Sequence, residues 1–385
     1  MSCAATTQSL SAVAITLARA GLKAVLLDKA RFPRQKLCGG LISLRCRDAL
    51  RQAFGPQCDP PIEAEARGAK VFFRERLLNE VRDYKPICFT SRSAFDHYLL
   101  DMARAFGVEV IEGAGASGLS PDRTAVLAND DVRHEAPFII GADGASSRIR
   151  KELASVAIDK RGFAVGLEME VPRSLVSRDI CAPEIYLGLV RWGYAWIFPK
   201  ERTLTVGVGG LSSENPDMRP IFERFARMAI GSVPALPLLR HPIPFGNYLA
   251  QPGEGSVLLA GDAAGLVEPI TGEGIAFAIL SGYHAAHAVI EARAAHGARS
   301  ALSFYRERYG SIAGLFDDGR LLRYLVFSRP LEPLFVRALG AGGGLIRKHM
   351  DVVAGDADYR DYSRYLTGAA LRRLPRMMQW RGGAG

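Results

Sequence analysis

The chain holds 40 glycines, but none precedes Gly21. Its six cysteines, Cys3, Cys38, Cys46, Cys58, Cys88 and Cys181, are thinly spread over 385 residues, and none forms a CxxC pair. No Cys/His set has zinc spacing, so no metal site is expected. So few cysteines at this length point to reduced thiols in a cytoplasmic compartment. No run reaches ~18 uninterrupted apolar residues, and no membrane span is expected. The first residues lack a basic start followed by an apolar core and do not read as a signal peptide. No basic block is interleaved with aromatics, which argues against a nucleic-acid partner. There is no internal repeat, no low-complexity linker and no Ser/His/Asp triad signature.

Hydrophobic content is 48% and charged content 23%, values of a soluble globular protein. The length suffices for one large or two intertwined domains. Net charge is +9, with Arg outnumbering Lys. One reading is attraction to acidic membrane surfaces or phosphorylated groups. The other is scattered surface charge.

The most organised stretch is Val257 to Gly274, VLLAGDAAGLVEPITGEG. Val257-Leu258-Leu259-Ala260 reads as a buried parallel strand. Gly261-Asp262 ends it, and Gly272-Glu273-Gly274 opens a helix from Ile275 to Ala292. Asp262 can accept a hydrogen bond from a sugar hydroxyl, and a helix start favours an anion. Near the start, residues 11–20 favour a helix, Gly21 stops it, and Lys23 to Asp28 reads as a strand ending in an acid. That is the second half of a βαβ dinucleotide unit, with Asp28 at the ribose-binding position. The first half is absent. A GxGxxG turn counted back from the helix falls on Ala5, Thr7 and Leu10, and four residues before it are too few for the usual first strand.

Arg31 to Gly40 is an irregular loop ending Cys38-Gly39-Gly40, where the backbone can approach a flat ligand. Cys38 is either a thiol activated by Arg34 and Lys36 or a small buried side chain. Residues 68–90 suggest antiparallel strands. Ser91 to Phe106 is amphipathic at helical spacing, with Phe95, Leu99, Met102 and Phe106 on one face. Phe138-Ile139-Ile140 runs into Gly141-Ala142-Asp143-Gly144, a second strand ending in Gly and Asp. From about 155 to 245, runs such as AVGLEMEV and TLTVGVGG suggest an antiparallel sheet. It contains Trp192, Tyr194, Trp196 and Phe198, which either line a flat, greasy pocket or simply pack. Helices are expected at Ser300–Tyr309, Gly319–Phe327, Leu331–Leu339 and Asp358–Leu366, with a flexible break at Gly340 to Gly344. Leu322, Tyr324 and Leu325 beside Arg320 and Arg323 read more readily as a core-covering helix than as a membrane-facing patch. His284 and His287, three apart with no third ligand, read as structural.

These motifs carry a resemblance. Gly141-Ala142-Asp143-Gly144 with Ser147 and Arg150 resembles the GADGxxSxxR motif of flavoproteins with the para-hydroxybenzoate hydroxylase fold. Gly261-Asp262, Pro269, Gly272 and Gly274 resemble the second FAD motif of that superfamily. GDAAG and GEG, the Cys38-Gly39-Gly40 loop, Arg92-x-x-Phe95-Asp96 and Tyr194-x-Trp196-x-Phe198-Pro199 are similar to the geranylgeranyl reductase family. Flavin-dependent halogenases have a related WxWxIP strand. The resemblance spans roughly residues 11–300 and implies an α/β fold. Its Rossmann-like FAD-binding domain would comprise 1–67, 91–154 and 246–300, its antiparallel β substrate domain 68–90 and 155–245, and its C-terminal helical region 301–385.

The resemblance implies FAD as cofactor, NAD(P)H or ferredoxin as transient donor, and hydride transfer to an isoprenoid double bond. Cys38, Tyr194 and Trp196 would be catalytic. Asp28, Arg34, Cys38, Gly39, Gly40, Arg92, Asp143, Gly261, Asp262, Pro269, Gly272 and Gly274 would contact the cofactor or its loops. The implied partners are a hydrophobic substrate and a membrane touched peripherally from the cytoplasm. The alternatives are a monooxygenase or halogenase, and a non-catalytic relic of the fold. The absent glycine turn has three explanations: a misassigned start, a truncation, or loss of FAD affinity. The abrupt onset of similarity near Ala12 favours the first. Under each, weak FAD binding and a sheet lacking its middle strand are expected.

Overall fold

The computed structural model describes residues 2–4, 7–129, 132–156, 158–296 and 299–366. Nine helices are named among them: α1 (Thr7–Arg19), α2 (Leu44–Phe54), α3 (Arg92–Ala105), α4 (Arg148–Lys151), α5 (Arg219–Ile230), α6 (Ile275–Ala294), α7 (Ala301–Phe327), α8 (Glu332–Gly340) and α9 (Gly343–Ala354). Residues 359–366 are also helical.

A six-stranded sheet runs in the order Gly253–Glu254, Val257–Leu259, Ile139–Gly141, Ser2–Ala4, Val25–Asp28, Glu109–Glu112. All pairings are parallel except the first. Its inner strands are continuous apolar runs because both faces are covered; Leu26, Leu27, Ile139, Ile140, Val257 and Leu258 are fully buried. α1 packs against α6 and α3, and α6 against α2 and α7. At Gly282 of α6, an added Cβ would stand 2.3 Å from the Ser9 carbonyl oxygen, so the two helices touch backbone to side-chain-free backbone.

The middle strand, expected to be missing, is present. Ser2–Ala4 pairs with Ile139–Gly141 on one side and Val25–Leu27 on the other. Sheet pairing is made by backbone N–H and C=O groups, so three residues held from both sides complete it whatever their side chains. Ala5 lies outside the described residues.

A seven-stranded sheet runs Leu239–Ile243, Ala164–Pro172, Thr203–Leu211, Gly193–Pro199, Glu184–Leu187, Ala69–Phe73, Arg76–Val81. Alternation along its strands divides the side chains between two faces. Leu167, Met169, Val206 and Val208 pack with Phe222 and Phe225 of α5. The opposite face carries Glu168, Ile185, Tyr194 and Trp196 toward the first sheet.

Two tail expectations are corrected, and one helix was not foreseen. Residues 301–327 form one helix rather than two: glycine costs a helix only about 1 kcal/mol, and burial of Tyr305, Tyr309, Ile312 and Phe316 outweighs it. The Gly-rich run is not a long break, because α9 begins at Gly343 immediately after a turn at Ala341-Gly342. α2, unread in the sequence, is capped by Ser43, whose Oγ accepts from the Cys46 N–H at 3.0 Å.

One helix among the described residues, α6, is long and apolar enough to cross a membrane, but 67% of its most apolar window is buried inside the protein. His284 is pushed down to about 4, first by burial and then by Arg308, and no group of three metal-ligating side chains occurs among the described residues.

Candidate functional site

A cavity of about 340 Å³ lies between the two sheets and runs to the C-terminal helices. One end is polar, with Lys36, Arg92, His241 and Asp262 in its wall; the other is apolar, with Val326, Phe327, Phe335, Leu339, Ile346 and Met350. Tyr194, Trp196 and Phe198 line the middle, beside Gly39 and Gly40.

The Cys38-Gly39-Gly40 loop is held by its backbone. Cys38 N–H donates to Glu168 Oε1 at 2.9 Å, Gly40 N–H points to Cys38 Sγ at 3.4 Å, and Thr90 N–H donates to the Gly40 carbonyl at 2.9 Å. A Cβ on Gly39 would lie 2.4 Å from Phe198 Cδ2, so only glycine lets the loop rest on the aromatic strand. Tyr194 Oη donates to the Thr271 carbonyl, which ties that strand to the turn before Gly272. Trp196 Nε1 is buried and has no hydrogen-bond partner among the described residues.

Asp262 stands in a short turn, Gly261–Ala264, directly after the strand Val257–Leu259. Gly261 N–H donates to Ser281 Oγ at 2.9 Å. Arg150 donates to the carbonyls of Ala263 and Ala145, both at 2.7 Å, and so ties the Gly141–Gly144 loop to the Asp262 turn. Asp143 accepts from Ser147 Oγ and from the Ile149 N–H at 3.1 Å; it fixes its own loop at the start of α4.

A second polar cluster lies where the first helix begins. Asp28 is buried, accepting from Thr7 Oγ1 at 3.3 Å and the Ala30 N–H at 2.9 Å; burial raises its carboxyl above the usual range. Arg34 donates to Thr7 Oγ1 at 3.2 Å and pairs with Asp96 at 3.0 Å, while its buried Nη1 has no partner among the described residues. Asp96 also takes a bidentate pair from Arg92, at 2.9 and 2.8 Å, and a bond from Gln8. Thr7 and Leu10 therefore stand at counted glycine positions. The Thr7 hydroxyl is engaged with Asp28, and Leu10 is buried in the core.

Of the residues singled out in the sequence, Cys38, Gly39, Gly40, Arg92, Tyr194, Trp196, Asp262, Gly272 and Gly274 share the cavity wall. Asp28 and Arg34 belong to the neighbouring cluster. Gly261 packs on Ser9 and Ala278, while Pro269 packs on Gly246 and Gly319, behind the wall. Several wall residues were not foreseen. His241 is pushed down to about 4, first by burial and then by Lys36. Half-buried Glu273 receives Ser43 Oγ and pairs with Arg45 at 3.4 Å. His349 sits among apolar residues at the far end, where burial pushes it down to about 4. Glu273 left a trace between Gly272 and Gly274 in the sequence, whereas His241 and His349 carry no motif.

An unpartnered buried guanidinium nitrogen, a carboxyl at the end of the second strand and a glycine-lined path to Asp262 together fit a long, anionic, flat-ended dinucleotide. Comparison with known proteins agrees. A family described as FAD binding domain matches residues 11–177. The geranylgeranyl diphosphate reductase of Rhodobacter capsulatus is 29% identical over 292 residues, covering 73% of this chain and 72% of that one. The digeranylgeranylglycerophospholipid reductase of Methanocella arvoryzae is 26% identical over 316 residues, covering 77% and 78%. Among solved structures, a geranylgeranyl bacteriochlorophyll reductase-like protein from Thermoplasma acidophilum superposes with a TM-score of 0.71 at 22% identity, covering 92% of this chain and 90% of that one. A flavin-dependent brominase reaches 0.70 at 15% identity, covering 96% and 98%. The fold is thus that of FAD-binding oxidoreductases, and the chain is an FAD-dependent oxidoreductase similar to geranylgeranyl reductases.

Proposed function

We propose that this chain saturates carbon–carbon double bonds of an isoprenoid chain. The observation that carries the reading is the continuous cavity running from the Asp262 turn and the Cys38–Gly40 loop to a wall on α7, α8 and α9 that is apolar but for His349. FAD, when bound and reduced, supplies hydride to one alkene carbon. The chain's residues do the rest. Asp28 would hold the adenosine ribose, Arg34 the pyrophosphate, and Asp262 the ribityl chain. Gly39, Gly40, Gly272 and Gly274 admit the flat ring. Trp196 and Phe198 press the alkene against it, and the apolar helices exclude water. Cys38, beside Arg92 in the wall, orients substrate or delivers the proton to the second carbon.

The test is anaerobic incubation of the FAD-loaded chain with dithionite, which bypasses the choice between NAD(P)H and ferredoxin, and a geranylgeranyl substrate. A product heavier by two hydrogens per double bond supports the reading. Hydroxylated or halogenated product under oxygen, with no hydrogenation, sinks it; protein that stays colourless with FAD supports a relic.

Thr7 sets a further expectation. At the second glycine position a side chain keeps the backbone from the pyrophosphate, and here its hydroxyl also occupies Asp28. Thr7→Gly is expected to tighten FAD binding about tenfold, read by quenching of flavin fluorescence.

Membrane contact fits the same helices. Leu321, Leu334 and Tyr324 are 77%, 61% and 50% exposed on α7 and α8, whose inner sides line the cavity, and Arg320, Arg323 and Arg337 lie on the same helices. Leu321→Glu with Leu334→Glu is expected to lower co-sedimentation with phosphatidylglycerol vesicles while leaving turnover of detergent-dispersed substrate unchanged.

A further inference from the structure

We propose that Glu168 is a proton-linked positioning residue for the Cys38–Gly40 loop: it holds the loop through the Cys38 N–H and changes its grip as its carboxyl gains or loses a proton. The inference rests on the loop and the sheet beneath it, not on what the cavity binds.

The register places Glu168 opposite Gly207, and Gly207 opposite Trp196. Residues directly opposite in a sheet share a face, so these three form one row under the loop. The middle position is empty of side chain for a reason: a Cβ on Gly207 would stand 2.3 Å from Trp196 Cζ2, so the indole lies over it. The ends of the row each carry an atom with no partner among the described residues, the acceptor Glu168 Oε2 and the donor Trp196 Nε1. Both residues are buried, at 2% and 7% exposure. Glu168 Oε1 takes the Cys38 N–H at 2.9 Å. Trp196 Nε1 lies 3.6 Å from where a Cβ on Gly39 would be. An unmatched donor and acceptor on one row, beneath one loop, form a polar site of the kind that buried water bridges.

The charged surroundings make the acid switchable. Burial pushes Glu168 up to about 7; the Cys38 N–H opposes this, Glu170 on the same strand adds to it, and Lys200 and Arg92 pull it back. His241 faces the row from the next strand, opposite Gly166. Below about pH 7 the carboxyl is neutral and carries a proton. Above it the carboxylate accepts the Cys38 N–H as a charge-assisted bond, which is shorter and stronger. The loop is therefore gripped more tightly on the alkaline side.

Two measurements on the full chain test this. The three tryptophans are Trp192, Trp196 and Trp380; changing Trp192 and Trp380 to Phe leaves Trp196 as the reporter. Its emission is expected to titrate with a midpoint near pH 7, and Glu168→Gln, which keeps the acceptor but cannot ionise, is expected to abolish that transition. A flat profile in the parent, or a midpoint near 7 that survives Glu168→Gln, overturns the proposal and assigns any titration to another group. The second measurement is iodoacetamide labelling of Cys38 at fixed pH, followed by peptide mass mapping. Glu168→Leu is expected to label about fivefold faster than Glu168→Gln, the scale of one net hydrogen bond. Equal rates overturn the loop-holding role. If Glu168→Leu does not fold, the fluorescence titration of Glu168→Gln still decides.

Discussion

Gly40→Ala is expected to cost on the order of 3 kcal/mol of stability, as left-handed strain and a backbone clash combine, and to lower turnover at least about 100-fold. Gly40 has φ of +73°, where a Cβ is strained. That Cβ would also stand 1.9 Å from the Thr90 carbonyl oxygen, a backbone atom that cannot rotate away. Thr90 N–H is bonded to the Gly40 carbonyl, so the two segments cannot part without breaking this contact. The strand pair Leu41–Ile42 with Cys88–Phe89 follows directly and would shift with it. Gly21→Ala separates the two causes. Gly21 has φ of +71° but nothing within 4 Å of its Cβ position, so strain alone acts there, about 1 kcal/mol. Thermal melts of the two variants check this, and equal losses would show that the Thr90 contact yields.

Asp96→Ala is expected to cost about 3–5 kcal/mol, the range for leaving a buried charge uncompensated. Asp96 is fully buried and serves Arg92, Arg34 and Gln8 together. Its loss strands two guanidiniums, of which Arg92 is 5% exposed at its side chain. Asp96→Asn retains one acceptor and should fall between. The exposed Asp101–Arg104 pair on the same helix is the control; removing it should cost under about 1 kcal/mol. Urea unfolding of all three variants measures the differences. A loss for Asp96→Ala no greater than for Asp101→Ala would mean that water reaches the cluster.

Much of the site was readable because its residues are constrained by backbone geometry. Glycines at 39, 40, 272 and 274 mark close approach, and an acid after an apolar strand marks Asp262. Arg92 and Asp96 were flagged only through the Arg92-x-x-Phe95-Asp96 motif; their pairing within α3 shows only in the structure. The middle strand Ser2–Ala4 was not readable, because its stability comes from neighbours at 139–141 and 25–27 rather than from its own three residues. α9 was hidden by glycines that local propensity treats as a break, though burial of Leu345, Ile346 and Met350 holds the helix. His241 was invisible for a different reason. It lies in a five-residue strand, LRHPI, with no motif, and only the pairing of that strand beside Gly166 brings it to the cavity.

The cavity wall described above has a consequence for how such a protein diversifies. Its polar end is built by turns that also close the central sheets, so changes there disturb the fold. Its apolar end is built by side chains on α7, α8 and α9, which are added after the last sheet strand and carry no sheet pairing. Substitutions at Phe335, Leu339, Ile346 or Met350 alter the depth and shape of the apolar end while leaving the loops at Cys38 and Asp262 untouched. Under the proposed function, length selectivity and redox chemistry would therefore sit on separately mutable parts of one chain, and a lineage could retune the first without re-evolving the second.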